Sequence, residues 1–401
     1  MNQKQLEALI GMDAYKSKTA GIGGVIKQLP DDFIVEEITP DKKVLEVELA
    51  SAVEERTDYS HRGEFTHCVL RKYNWDNMRA VKEISKRLGL SSKRIGFAGT
   101  KDKRAVTAQQ ISFYNVPVED LMKINIKDIT LRDFRYADDK IDLGDLWGNR
   151  FTITVRNIES GISQSEVEDR VKRISGELKY GFPNFFGEQR FGSVRPITHL
   201  VGKEILKGDF ERAVMIYLSD VYEGESSESA EARKKLAETR DFKDALKNFP
   251  RNLGYELSMI NYLVEHEGDY TGALKVLPKT LSMMFVHAYQ GFIFNRALSK
   301  CINGGFYVER LPLVGYLTAP DELSAGILEV EGITQENFRV NYLNSLSSKG
   351  EVRDCFIPVH DFSTIEAGAD ELNTGKNKIT IRFSLNKGCY ATSLIRELMK
   401  N

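Results

Sequence analysis

Residues 377–400 read NKITIRFSLNKGCYATSLIRELMK, and they decide how the chain is organised. Ile379, Ile381 and Phe383 alternate with Thr380 and Arg382, the period of two expected of a strand with one buried face. A strand needs neighbours for its backbone N–H and C=O groups, so this one must join a sheet. The segment before it offers none. From about 195 to 355 the patterns are helical: KEILKGDFERAVMIYL, SAEARKKLAETRDFKDALKNF, GYELSMINYLVEH and LSMMFVHAYQGFIFNRALSKCIN. Strand patterns lie earlier, in DFIVEEI, EFTHCVLRKY, QQISFYNV and RFTITVRNI. The expectation is an α+β protein in which residues 1–194 and 356–401 form one discontinuous domain and 195–355 a mainly helical insertion.

Two local helices punctuate the strand-rich part. In DNMRAVKEISKRLGLSS, Asp76 or Asn77 can cap, Met78, Val81, Ile84 and Leu88 form an apolar stripe, and Gly89 supplies a left-handed stop. SQSEVEDRVKRISGELKYG opens on a Ser163 or Ser165 cap. At the other end, Gly388 and Tyr390 mark a strand-to-helix junction where Thr392 or Ser393 could cap.

The 401 residues exceed the ceiling of a single core, and 41% hydrophobic with 28% charged residues is ordinary globular composition. No charge-free apolar run of about 18 residues suggests a membrane span. The first 24 residues carry scattered charges and no signal-peptide core. Four separated cysteines, with no CxxC, suggest neither zinc nor disulfides. A reducing cytoplasm fits best. The six histidines, His61, His67, His199, His266, His287 and His360, show no ligand spacing, and neither G-x-S-x-G nor a Walker loop occurs.

A formal net charge of -2 gives no global case for a nucleic-acid partner, but one span concentrates cations. Arg79, Lys82, Lys86, Arg87, Lys93, Arg94, Lys101, Lys103 and Arg104 fall where Glu83 and Asp102 are the only acids. A solvated face and a phosphate-binding surface are equally consistent with that. Within the span lies GFAGTKDKRAVTAQQISF, residues 96–113, a charged turn between two strand patterns. Asp102 can be a nucleophile or base held ionised by Lys101, Lys103 and Arg104, or one member of a surface ion-pair cluster. PNFFGEQRFG, residues 183–192, sets an amide at Asn184 beside Phe185, Phe186 and Phe191. Aromatics and an amide suit a flipped pyrimidine, and they equally suit a packed core with a turn asparagine. Lys27 in IKQLPDDFIVEEI is on its own an exposed lysine, and Phe33 a buried strand residue.

Taken together and in order, IKQLPDDFIVEE, GFAGTKDKRAVTAQQ, LGDLWGNRFTI, PNFFGEQRFG and FSLNKGCYATSLIREL resemble the TruD family of tRNA pseudouridine synthases, in its longer archaeal and eukaryotic form. The resemblance runs nearly end to end, with the middle matching in helical character more than in motif. It implies a catalytic domain built on a mixed, mainly antiparallel sheet flanked by helices. It also implies an enzyme isomerising a uridine of tRNA, typically at position 13, without metal or cofactor, and tRNA as the partner of a monomer. Asp102 takes the place of the catalytic aspartate and Lys27 that of its basic partner. Phe33 and Tyr390 become aromatic contacts of the nucleotide, Asn184 a polar contact, and Phe186 the aromatic standing for the tyrosine of other pseudouridine synthases. Lys101, Lys103 and Arg104 complete the expected substrate-binding set.

The chemistry requires breaking N1–C1′, turning the base and joining C5 to C1′. A carboxylate can do so by attacking C1′, adding to C6 or removing a ribose proton, and the sequence does not choose. Lys27 would keep Asp102 ionised and aimed. The rival readings are a non-catalytic structured-RNA-binding protein and a nucleotide-binding enzyme built on the glycines around Asp102, the latter disfavoured by the missing Walker spacing.

Overall fold

The computed structural model describes residues 3–48, 63–159 and 161–401, so His61 lies outside the described residues. No helix among them is long and apolar enough to cross a membrane. The chain forms two compact units, Ser17–Phe182 with Ile357–Asn401, and Met1–Lys16 with Pro183–Phe356.

In the first unit, strands β1 (Phe33–Ile38), β2 (Phe65–Tyr73), β3 (Ile95–Phe97), β4 (Val106–Tyr114), β5 (Ile129–Ala137), β6 (Gly148–Ile158), β7 (His360–Ala369) and β8 (Asn377–Asn386) form one sheet. Its order is β7-β8-β6-β1-β4-β2-β5, with β3 also on β4. The fold is α+β with a mixed sheet, antiparallel except where β1 runs parallel to β4. The strand expected to return does so: β8 lies on β6 from Asn377 opposite Ile158 to Asn386 opposite Gly148. Ile379, Ile381 and Phe383 are fully buried, and the Phe383 ring stacks on Phe151 at 5.5 Å. Each such side chain contributes about 1.5–3 kcal/mol by leaving water, which fixes the register of β8.

Helices cover this sheet's apolar residues. Helix α1 (Asn77–Arg87) is capped by Asp76, whose side chain accepts the Arg79 N–H, and the chain leaves it through Gly89 at φ +63°. Ala80, Val81 and Ile84 carry the contact with Cys68, Leu70, Ile111 and Phe113, whereas Met78, expected on the apolar stripe, is 56% exposed. Helix α2 (Gln164–Glu177) starts at the Ser163 cap, and helix α3 (Ala391–Met399) follows β8. Tyr390, rather than Thr392 or Ser393, holds the N-cap position of α3, without a side-chain cap bond. Val167, Val171, Ile174, Leu394, Ile395 and Leu398 pack with the β6–β8 residues.

The second unit is mainly helical, around the 26-residue helix Lys279–Gly304. Two patterns that read as continuous helices are each broken. Gly208 adopts φ +80° and Asp209 caps the next helix, and Arg240 at φ +52° precedes the Asp241 cap. The compact units divide at residue 182 and take in residues 1–16, whereas the sequence reading places the first change at 195. Side-chain packing is the reason: Ile10, Met12, Phe185, Phe186 and Phe191 all contribute to the helical core. Asn295 ties both pieces to the long helix by donating to the carbonyls of Ile10 and Phe186. His199 is stacked on Phe292 in this core, and burial pulls its pKa down to about 4, so it is a neutral packing residue.

Candidate active site

The parallel pairing of β1 with β4 creates the site. Ile34 lies opposite Val106, so the segments entering the two strands run side by side. One carries Lys27 and the other Asp102. Lys27 Nζ donates to Asp102 Oδ1 at 2.7 Å, with the two side chains 22% and 33% exposed. Oδ2 has no bonded partner among the described residues. The same ammonium stands 3.9 Å from the Phe33 ring centroid.

Lys27 holds φ +60°, a left-handed conformation costing a non-glycine residue of order 1–3 kcal/mol, which persists only where neighbours over-determine it. Here they do. Val25 exchanges two backbone bonds with Arg156, and Arg156 Nε donates to Asp32 Oδ1 at 2.7 Å. Asp32 Oδ2 in turn accepts the Leu29 N–H at 2.7 Å. Arg156 also bonds Asp370, whose pKa falls to about 2 with backbone N–H groups of Asn157 and Leu372 and the Asn373 and Arg156 side chains favouring its charge against burial. Between these anchors, Gln28 accepts from Arg104 through its carbonyl and from Asn373 through Oε1.

The Asp102 turn is built as firmly. Gly96 is required, since a Cβ there would stand 2.4 Å from the Ile141 carbonyl oxygen. Gly99 meets no such obstacle, and its carbonyl accepts from the Gln109 side chain. Lys101 is not part of an exposed cationic surface, contrary to its place in the expected substrate-binding set. Its Nζ lies 2.6 Å from Glu37 Oε2 with both side chains buried, at 4% and 1% exposure, because β1 presents Glu37 beneath the turn. Lys103 and Arg104 are exposed, and Arg104 already bonds Gln28. Phe33, expected to meet the nucleotide, is 1% exposed, edge-on to Phe151 and capped by Lys27. It therefore reaches the site through the lysine. Tyr390 is 39% exposed. The loop before it is fixed by Lys387, which bonds the Trp147 and Gly144 carbonyls, and Gly144 donates to Ala98 in the Asp102 turn.

Asn184 and Phe186 belong to the helical unit. The Asn184 amide donates to the Asp354 carbonyl at 2.7 Å and accepts from Arg353, and its backbone N–H bonds Cys355. Phe186 is 5% exposed, edge-on to Phe294, with the Arg353 guanidinium 4.1 Å from its ring centroid. It lines a cavity of about 360 Å³ together with Arg190, His287, Lys349 and Arg353. Among the described residues no His, Cys, Asp or Glu cluster could hold a metal ion, and Cys68, Cys301 and Cys355 are buried free thiols.

The model of the family described as tRNA pseudouridine synthase D (TruD) matches residues 9–315 and 307–398. The chain belongs to the TruD family. A protein of Methanosarcina mazei named "Probable tRNA pseudouridine synthase D" is 37% identical, over 100% of this chain and 98% of its own. One of Methanocaldococcus jannaschii named "Probable tRNA pseudouridine synthase D 1" is 38% identical over 94% of this chain and 96% of its own. A crystal structure from Methanosarcina mazei, also named for tRNA pseudouridine synthase D, superposes with a TM-score of 0.85 at 37% identity, covering 100% of this chain and 99% of that one.

This TruD-family centre contains residues that sequence reasoning passed over. Glu37 is one, and a doubled glutamate inside the strand FIVEEI was its only signal. Lys72 is another. In β2 the residues Cys68, Leu70 and Lys72 share one face and are all buried, so a lysine follows two apolar residues in the same row. Glu37→Gln would leave the Lys101 ammonium buried without its counter-charge. The expected loss of folding stability is about 3–5 kcal/mol, read from the urea midpoint at pH 7.

Proposed function

We propose that this protein converts the uridine at position 13 of tRNA to pseudouridine, with Asp102 as the reacting carboxylate and Lys27 as the group that aims it. The observation that carries this reading is the 2.7 Å pair itself, one carboxylate oxygen engaged and the other without a bonded partner among the described residues. Three routes start from that second oxygen: attack on C1′, addition to C6, or removal of a ribose proton. In each the N1–C1′ bond breaks, the base turns, C5 bonds C1′ and the C5 proton passes to solvent. The net change is an isomerisation needing no electron donor or acceptor.

A stacked uridine must leave the stack first, at a cost of a few kcal/mol. Phosphate contacts from the exposed cations Arg79, Lys82, Lys86, Lys93 and Lys103 would offset it. Arg87 and Arg94 contribute less, being bonded to Glu83 and to the Tyr114 and Asn115 carbonyls. On this reading Tyr390 stacks against the extruded base, and Asn184 and Phe186 are expected contacts of the nucleotide. The enzyme acts as a cytoplasmic monomer on tRNA, without metal or cofactor.

The test is carbodiimide mapping of pseudouridine in unmodified tRNA transcripts incubated with the protein alone. A new stop at position 13, absent from a transcript carrying cytidine there, is the expected result. A stop at another uridine would overturn the position. No stop in any transcript, despite tight binding, would favour the non-catalytic RNA-binding reading.

A further inference from the structure

Behind the Asp102 turn lies a lysine with no exposed surface. Lys72 Nζ donates to the carbonyls of Asp102 at 2.7 Å, Trp75 at 2.8 Å and Lys101 at 3.4 Å. All three donors of the ammonium are thereby used on backbone oxygens, and no carboxylate among the described residues bonds it directly. Burying a cation in this way is costly, and an apolar residue would continue the Cys68–Leu70 row without that cost. What the lysine supplies instead is a joint between β2, the segment entering α1 and the turn that carries the carboxylate. Lys27 holds Asp102 by its side chain and Lys72 holds it by its main chain.

We infer that Lys72 is a positioning residue of the Asp102 centre: its buried ammonium fixes the backbone of residues 101 and 102 so that the carboxylate keeps its place opposite Lys27. The inference rests on the reading of Asp102 as the reacting group. The charged groups facing Lys72 are Asp102 and Lys101 in the turn and Asp76 at the cap of α1. Burial draws the Lys72 pKa down from its usual 10.5 to about 8, against the pull of Asp102 and Asp76. Above that pH the neutral amine keeps two donors for three carbonyls and no charge behind the carboxylate.

The direction of the stability effect separates positioning from unfolding. Between about pH 8 and 10.5 the unfolded chain holds the Lys72 proton and the folded chain does not, so this residue's contribution to folding stability rises across that window. A fall in activity there is not unfolding caused by Lys72.

The experiment measures single-turnover pseudouridine formation at saturating tRNA from pH 6.5 to 9.5, tRNA binding, and hydrogen exchange of residues 97–106, for wild type, Lys72→Met and Lys72→Arg. The expected wild-type rate falls through an apparent midpoint near 8. Lys72→Met is expected to lose about 10- to 100-fold in rate at neutral pH, with tRNA binding kept and faster exchange confined to the turn. Lys72→Arg, charged throughout, should lose the alkaline fall. A rate flat from pH 7 to 9.5 in wild type, or Lys72→Met matching wild type per folded molecule, would overturn the inference. Should Lys72→Met not fold, the wild-type profile and the protection of residues 97–106 on either side of pH 8 still decide it. Wild type without any pseudouridine product would instead overturn the proposed function, and the exchange measurement would test the joint on its own.

Discussion

Asp102→Asn is expected to reduce the rate of pseudouridine formation by at least about 10⁴-fold while leaving tRNA affinity within about threefold. Asparagine matches aspartate in size and can keep a contact to Lys27. The Lys72 bonds go to main-chain carbonyls that the substitution does not touch. What disappears is the anion, and each of the three routes begins with it. The Lys27 ammonium would then face a neutral amide, a modest loss at a pair that is partly exposed. Stability should therefore change little. Rate, affinity and melting temperature of the same preparation give the check, and a loss of tRNA binding equal to the loss of rate would assign Asp102 to binding instead of chemistry.

Lys27→Met carries the second largest effect, a fall of about 100-fold in the rate at saturating tRNA, or ~2.7 kcal/mol of barrier. Methionine is unbranched, only one atom shorter than lysine, and has an affinity for the Phe33 ring, so the packing at 3.9 Å is largely replaced. The bond to Oδ1 is not. The carboxylate is then free to rotate and loses the charge that aims it, while the turn itself remains held by Lys72 and by the Glu37–Lys101 pair. Single-turnover kinetics over a range of tRNA concentrations separates the outcomes. A changed plateau with an unchanged half-saturation is the expected pattern, and the reverse would make Lys27 a phosphate contact.

Much of this architecture is legible in the sequence because it is local. The alternation of Ile379, Ile381 and Phe383, the caps at Asp76 and Ser163, and the strands flanking the charged turn are all written within a few residues of where they act. The breaks at Gly208 and Arg240 are not legible in this way, since each interrupts an otherwise unbroken helical pattern through one left-handed residue. The centre itself is not local. Lys27 and Asp102 are 75 residues apart, and only the parallel pairing of β1 with β4, which no periodicity encodes, brings them together. In the sequence their partnership is implied only by the resemblance of the ordered motifs to the family. Lys101 shows the converse: next to Asp102 in sequence it reads as part of one charged cluster, yet Glu37, 64 residues away, draws it under the turn. Phe33 likewise carries its aromatic identity in the sequence, but its burial follows from the Phe151 contact across β1 and β6.

The central claim is that this centre isomerises one uridine of tRNA, and the most direct measurement is tritium release from unmodified tRNA labelled at C5 of its uridines. Forming the C5–C1′ bond expels the C5 hydrogen. The account predicts release that levels off at one tritium per fully labelled tRNA with wild-type protein and no added metal, and none above background with Asp102→Asn. Release by Asp102→Asn at the wild-type rate, or none by wild type on a tRNA that it binds tightly, would contradict it.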